Sequence, residues 1–224
     1  MAKLAAGICF YEKSLETVKR CIESIKDNVD YIFAIDGRFT DENGKALFPD
    51  AEPLSPKYVR DYLLTIPNLI LVSYPATEIQ KRQRYLDMCK QFECDYLLII
   101  DTDEFLLPES DWNQFIANLS KCNDETNIYS IKCKYGYPEH NDTSNSPRLW
   151  FKPYDMEYHV AHCLFKNTVT GKIQKSSSSG PLIEGLMLAG DDSLRDRTYQ
   201  IQSFEYQTYL IQDEHDVREE YRNN

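Results

Sequence analysis

The chain has 224 residues, 42% of them hydrophobic, and a formal charge of -11, which allows one substantial core and leaves little for a second. That acidic balance excludes extended contact with nucleic-acid backbones, which needs a basic face, and no apolar run is long enough to span a bilayer. Seven cysteines, odd in number and irregularly spaced, argue against a disulfide framework or a zinc site and read as reduced core residues. The opening Met1–Ile8 enters a strand-like pattern rather than a secretory leader, so a soluble, cytoplasmic, single-domain protein is expected.

In chain order, residues 4–11 read as a first strand. Ser14 then opens a helical pattern with Leu15, Val18, Cys21, Ile22 and Ile25 on one face. Tyr31–Ile35 is a second buried strand ending at Asp36-Gly37. Arg38–Leu54, rich in Asp, Gly and Pro, reads as a long loop, and Ser55-Pro56 supplies an N-cap and N1 proline for a helix to about Ile66. Leu69–Tyr74 is a third strand. Thr77 and Gln80 form a capping box for a helix through Phe92, and Tyr96–Ile100 is a fourth strand. Strands alternating with helices over residues 1–104 predict a mainly parallel sheet covered on both faces.

Beyond residue 104 the texture changes. A short helix over Asp111–Leu119 leads into strand-like segments at Ile128–Tyr135, Leu149–Tyr154 and Tyr158–Phe165, then a Ser-rich loop at Ser176–Gly180. A last strand at Leu182–Ala189 precedes Gly190-Asp191-Asp192 and a polar helix from Ser193 to near Tyr221. The polar stretch Gly136–Pro147 reads either as a mobile lid or as plain surface. Tyr135, Tyr137, Trp150, Tyr154 and Tyr158 offer flat faces with polar edges, suited to packing or to a sugar ring.

The most informative segment is Leu97–Glu104, four apolar residues ending in Asp101-Thr102-Asp103-Glu104. So much negative charge at a core boundary calls for a compensating cation. If the segment stays extended, Asp101 and Asp103 face one way, about 7 Å apart, while Glu104 points elsewhere. Two hard oxygen ligands in that pose suit one divalent ion, with room for phosphate oxygens.

Three strand ends, Phe10-Tyr11-Glu12, Asp36-Gly37-Arg38 and Asp101-Thr102-Asp103, fall where open α/β sheets bind ligands. Together with the opening ICFYEKSLETVKRCIESI, the helix carrying Lys81-Arg82-Gln83-Arg84 and the strand ending DTDE, they resemble GT-A glycosyltransferases, particularly family 2-like enzymes. The resemblance covers about the first half of the chain well. It implies a GT-A fold: a nucleotide-sugar-binding half (1–104), then a β-rich acceptor-side half with a C-terminal helix (105–224). The implied activity is transfer of a sugar, by inversion, from a nucleotide diphosphate donor, with a UDP-sugar the first expectation, to a carbohydrate or other hydroxyl acceptor. Asp36 would meet the nucleobase or ribose, with Phe10 and Tyr11 lining the same pocket. Arg82 and Lys81 would contact donor phosphate or sugar oxygens. Asp101 would lie near donor hydroxyls and the metal, and Asp103 would be the catalytic metal ligand, for Mn2+ or Mg2+.

The match thins in the second half. Related enzymes often carry a metal-binding histidine before the final helix; here Asp191 could coordinate in its place, and Asp192 could equally cap the helix. A His-Glu landmark after an Arg-rich strand has become His162-Cys163, which follows Arg148-Leu149-Trp150-Phe151. An inverting transfer needs a general base, and His162, Asp155, Glu157 and Glu139 all remain open for that role. The alternative is a non-catalytic GT-A-like protein binding a sugar nucleotide, carbohydrate or protein partner, with no nucleic acid and with peripheral membrane contact left open. A phosphatase of the haloacid dehalogenase type ranks below both. It places its aspartate pair near the start of the fold, whereas two strand–helix units come first here.

Overall fold

The computed structural model describes residues 2–11, 14–48, 50–123, 126–135, 142–160, 164–175 and 180–190. The chain begins β1 (Leu4–Phe10), α1 (Leu15–Ile25), β2 (Tyr31–Asp36), α2 (Lys57–Leu63), β3 (Leu69–Ser73), α3 (Glu78–Phe92) and β4 (Tyr96–Ile99). It continues β5 (Glu104–Leu106), α4 (Trp112–Asn118), β6 (Ile128–Tyr135), β7 (Asp142–Phe151), β8 (Met156–Val160), β9 (Leu164–Asn167), β10 (Ile173–Lys175) and β11 (Leu182–Gly190). Eight strands form one sheet in the order β3-β2-β1-β4-β7-β6-β11-β5, and β10-β9-β8 form a second, antiparallel sheet.

The first four strands of the large sheet are parallel. From β4 onward the pairing is mixed: β4–β7, β7–β6 and β11–β5 are antiparallel, and β6–β11 is parallel. A parallel α/β half joined to a β-rich half fits the GT-A-like fold. Strand alternation sends Leu4, Ala6, Ile8 and Phe10 to one face, where α1 and α2 pack with Val18, Ile22, Val59 and Leu63. Ala5, Phe33, Ile35, Leu97 and Ile99 face the other way, against Tyr85, Leu86 and Cys89 of α3 and Trp150, Tyr158 and Phe165 near the small sheet. At Gly7 the Tyr85 ring of α3 packs tightly on β1: an added Cβ would lie 3.0 Å from it.

Local signals produced local structure. The Ser14 side chain accepts the Thr17 N–H at the start of α1, and both halves of the Thr77–Gln80 capping box form on α3. Asp111 caps α4. Elsewhere the outcome differs from the sequence reading. Pro56 occupies the N-cap of α2, and no side chain caps that helix. In the segment read as one strand over 158–165, residues 158–160 belong to β8 and 164–165 to β9, two strands paired antiparallel, with 161–163 outside the described residues, while β5 and β10 carried no sequence signal. Residues 142–147 of the expected lid pair with β6 as part of β7, and 136–141 lie outside the described residues, as do Asp191, Asp192 and the expected helix over 193–221. No described helix is long and apolar enough to cross a membrane.

Candidate functional site

Asp101 follows the end of β4, but the chain there is not extended. The Glu104 N–H donates to the Asp101 carbonyl at 2.9 Å, closing a turn over Asp101–Glu104, and a Glu104 carboxyl oxygen accepts the Asp101 N–H at 2.9 Å. The strand alternation that would pair Asp101 with Asp103 therefore does not operate. Instead the turn brings Glu104 to Asp101, and Nη2 of Arg148 donates to both carboxylates, 3.1 Å from Asp101 Oδ2. Asp103 is buried in the turn.

Arg148 reaches this position through an irregularity in β7. Tyr129 pairs with Leu149, and Ser130 pairs with Pro147, so Arg148 is the extra residue of a bulge. Proline, which has no N–H to give a ladder, is tolerated at such a point, and bulges re-aim side chains. Pairing between β4 and β7 also stops at Leu98–Leu149. Beyond that pair the strands part, and a cavity of about 370 Å3 opens. Its walls comprise Glu78 and Arg82 of α3, Ile99 and Asp101 at the end of β4, Ser146 to Arg148 of β7, and an aromatic side of Trp150, Tyr158 and Phe165. The volume lies in the range of small-ligand sites.

The cavity is charged on one side. Arg82 Nε donates to Glu78 Oε1 at 2.7 Å, and its Nη2 lies 3.6 Å from Asp101 Oδ1. The compensating cations the acidic turn required are thus, in this structure, the guanidiniums of Arg82 and Arg148. The Asp101 side chain remains 39% exposed, whereas those of Glu78 and Glu104 are each 7% exposed. Burial pushes the Glu104 carboxyl up to about 7, against the opposing pull of Arg148. On the aromatic side the Tyr85 and Tyr158 hydroxyls are 2.8 Å apart, and the Tyr158 N–H donates to Gln83, tying the small sheet to α3.

A second group of the expected residues gathers at the ends of β1 and β2. Phe10, Tyr11, Asp36 and Lys81 are all buried. Lys81 Nζ donates to the Phe10 carbonyl at 3.1 Å and the Gly37 carbonyl at 2.6 Å, with the Phe39 ring 4.1 Å away. Burial lowers this ammonium to about 8. Both Asp36 carboxylate oxygens accept the Ser55 N–H, at 3.1 and 3.3 Å. The Tyr11 hydroxyl donates to the Glu52 carbonyl, and Arg38 holds the carbonyls of Ala51 and Pro53. The segment Ala51–Ser55 therefore lies across the corner where the resemblance places a nucleobase. Gly37, at φ +148, is required there, since a Cβ would fall 2.5 Å from the Pro75 nitrogen.

The structure thus brings Arg82 and Asp101 together on one cavity and sets Phe10, Tyr11, Asp36 and Lys81 in a separate, closed corner. His162 and Asp191 lie outside the described residues, as does Glu139. Glu157 pairs with Lys166 at 3.4 Å, and the Asp155 backbone joins a turn with Lys152 and Thr168. Glu78 and Arg148 were not among the site residues expected from the sequence. The i, i+4 spacing of Glu78 and Arg82 and the proline before Arg148 were the available signals.

No group of three or more His, Cys, Asp or Glu among the described residues is placed to hold a metal ion. The donor chemistry nevertheless fits Mg2+ or Mn2+, which bind through one or two carboxylates and complete their shell with phosphate and water. Asp101, the partly exposed carboxylate on the cavity wall, is the residue that would hold such an ion.

No family model and no curated protein matches the chain. Among solved structures it is similar to S. aureus TarS, with a TM-score of 0.42 and 15% identity over 60% of this chain and 22% of that one. It is also similar to TarS 1–349 in complex with UDP-GlcNAc, with TM-score 0.41 and 15% identity over 61% of this chain and 36% of that one. For TarS 1–349 in complex with UDP the TM-score is 0.41 and the identity 16%, over 61% of this chain and 37% of that one. The chain spans well under half the length of each.

Proposed function

We propose that the chain is a GT-A-type glycosyltransferase that moves a sugar from a nucleotide diphosphate donor, a UDP-sugar first, to a hydroxyl acceptor with inversion and metal assistance. One observation carries this reading: the cavity at the end of β4, walled by Asp101, Arg82 and Arg148 on one side and aromatic rings on the other. Its two guanidiniums face three carboxyl groups, Glu78, Asp101 and Glu104. The site therefore has no surplus positive charge with which to hold a diphosphate. That balance is the physical case for a divalent cation at Asp101, with Asp103 or Asp191 as further ligands. When bound, such an ion supplies charge stabilisation to the leaving diphosphate.

The chain's own residues have separable roles. Asp101 orients the donor and Arg82 contacts its phosphate or sugar oxygens, while Trp150, Tyr158 and Phe165 give an apolar wall to a sugar ring. Asp36, with Phe10 and Tyr11, meets the base once Ala51–Ser55 moves aside. Lys81 acts by holding the ends of β1 and β2 in register, and His162 is the proposed general base.

The test is calorimetry with UDP and UDP-sugars, with and without Mn2+, together with a donor-hydrolysis assay on the unaltered chain and on Asp101→Asn. Removing the carboxylate charge should abolish Mn2+-dependent UDP binding and lower turnover by about a hundredfold or more. Unchanged affinity and turnover would refute the assignment. Binding without any turnover would favour the non-catalytic alternative.

A further inference from the structure

Arg148 is the residue that the β7 bulge presents to the cavity. Its guanidinium spends one nitrogen, Nη2, on two carboxylates, while its Nε is buried with no hydrogen-bond partner. A cation placed only to neutralise Asp101 and Glu104 would do better with a two-nitrogen fork on one carboxylate, leaving no buried donor unpaired. Nor would it need a break in a strand at the point where β7 parts from β4. Arg82 brackets the other Asp101 oxygen at 3.6 Å, beyond hydrogen-bonding distance.

We propose that Arg148 is the diphosphate-binding residue of this cavity, held on Asp101 and Glu104 until a nucleoside diphosphate arrives and then turning its spare N–H groups to phosphate oxygens. The inference rests on the nucleotide-sugar reading above and deepens it. Planar guanidinium geometry matches two phosphate oxygens at once, which an ammonium cannot do. The exchange also couples two ligands. Once Arg148 leaves Asp101, one of the two guanidiniums facing that carboxylate is gone and a divalent cation can approach it, so nucleotide and cation each strengthen the binding of the other by the same factor.

Calorimetry on the full chain with UDP and with uridine, each with and without Mn2+, separates the possibilities for the unaltered protein, Arg148→Lys and Arg148→Met. UDP affinity should fall by about 30-fold in Arg148→Met and by less in Arg148→Lys, with uridine affinity equal in all three. The gain in UDP affinity from Mn2+ should be smaller in Arg148→Met than in the unaltered chain, because the part of it that comes from Arg148 leaving Asp101 is lost while the direct attraction between ion and diphosphate remains. Arg148→Lys keeps a cation facing Glu104 and decides by the same UDP-against-uridine comparison if the methionine variant does not fold. UDP affinity that is unchanged in both variants overturns the inference, as does equal weakening of UDP and uridine, the signature of a merely structural role. Failure of the unaltered chain to bind UDP at all, with or without Mn2+, overturns the nucleotide-sugar reading and takes this inference with it.

Discussion

Burying Lys81 completely is a cost that the fold accepts in order to pin two strand ends with one side chain. Burial lowers its ammonium from 10.5 to about 8, so the unfolded chain binds more protons between those two values. Stability from this site is therefore greatest above pH 10.5 and is lost as the pH falls through about 8. The difference in unfolding free energy between the unaltered chain and Lys81→Met should rise by roughly 3 kcal/mol from pH 7 to pH 10.5, with other titrating groups cancelling in the comparison. Denaturant melts at both pH values measure it; a flat difference would mean that Lys81 is not buried as a cation. Lys81 and its neighbour Arg82 also mark the limit of sequence reading at this scale. Both were assigned to the donor, but successive helical residues do not share a face. One reaches the strand ends, and the other reaches the cavity.

Elements specified by their own residues were legible: the helix starts at Ser14 and Thr77, the apolar stripe of α1, and the parallel run of β1, β2, β3 and β4. What escaped depends on partners far away in sequence. The bulge at Arg148 exists only against β6, β5 only against β11, and the carboxylates of the Asp101–Glu104 turn are held together by Arg148 from β7. The loop after β2 belongs to the same class, since nothing local announces that Ala51–Ser55 docks on Tyr11, Asp36 and Arg38. Its docking yields a prediction. The Ser55 N–H sits on the Asp36 carboxylate, the group expected to meet the nucleobase. Donor binding there must release that amide, so hydrogen exchange at Ser55 should speed up on adding UDP with Mn2+, while the strand amides of β1 and β2 stay protected. Slower or unchanged exchange would place the base elsewhere in the cavity.

For the molecule as a whole, the formal charge of -11 sets the electrostatic background against which the cavity works. At an ionic strength of about 0.01 M the screening length is roughly 30 Å, and the whole acidic surface repels an incoming nucleotide diphosphate. At about 0.15 M it is roughly 8 Å, and only the charges around the cavity are felt. Those nearby charges are close to balanced, with Arg82 and Arg148 set against Glu78, Asp101 and Glu104. UDP affinity without a divalent cation should therefore rise as salt increases between these two values, opposite to the behaviour of an anion bound by a surplus of arginines. With Mn2+ present the local potential becomes positive, and the salt dependence should flatten or reverse. Titrations at the two ionic strengths, with and without Mn2+, provide the comparison. A fall in metal-free affinity with salt would show that the guanidiniums already outweigh the carboxylates, removing the electrostatic case for a cation at Asp101.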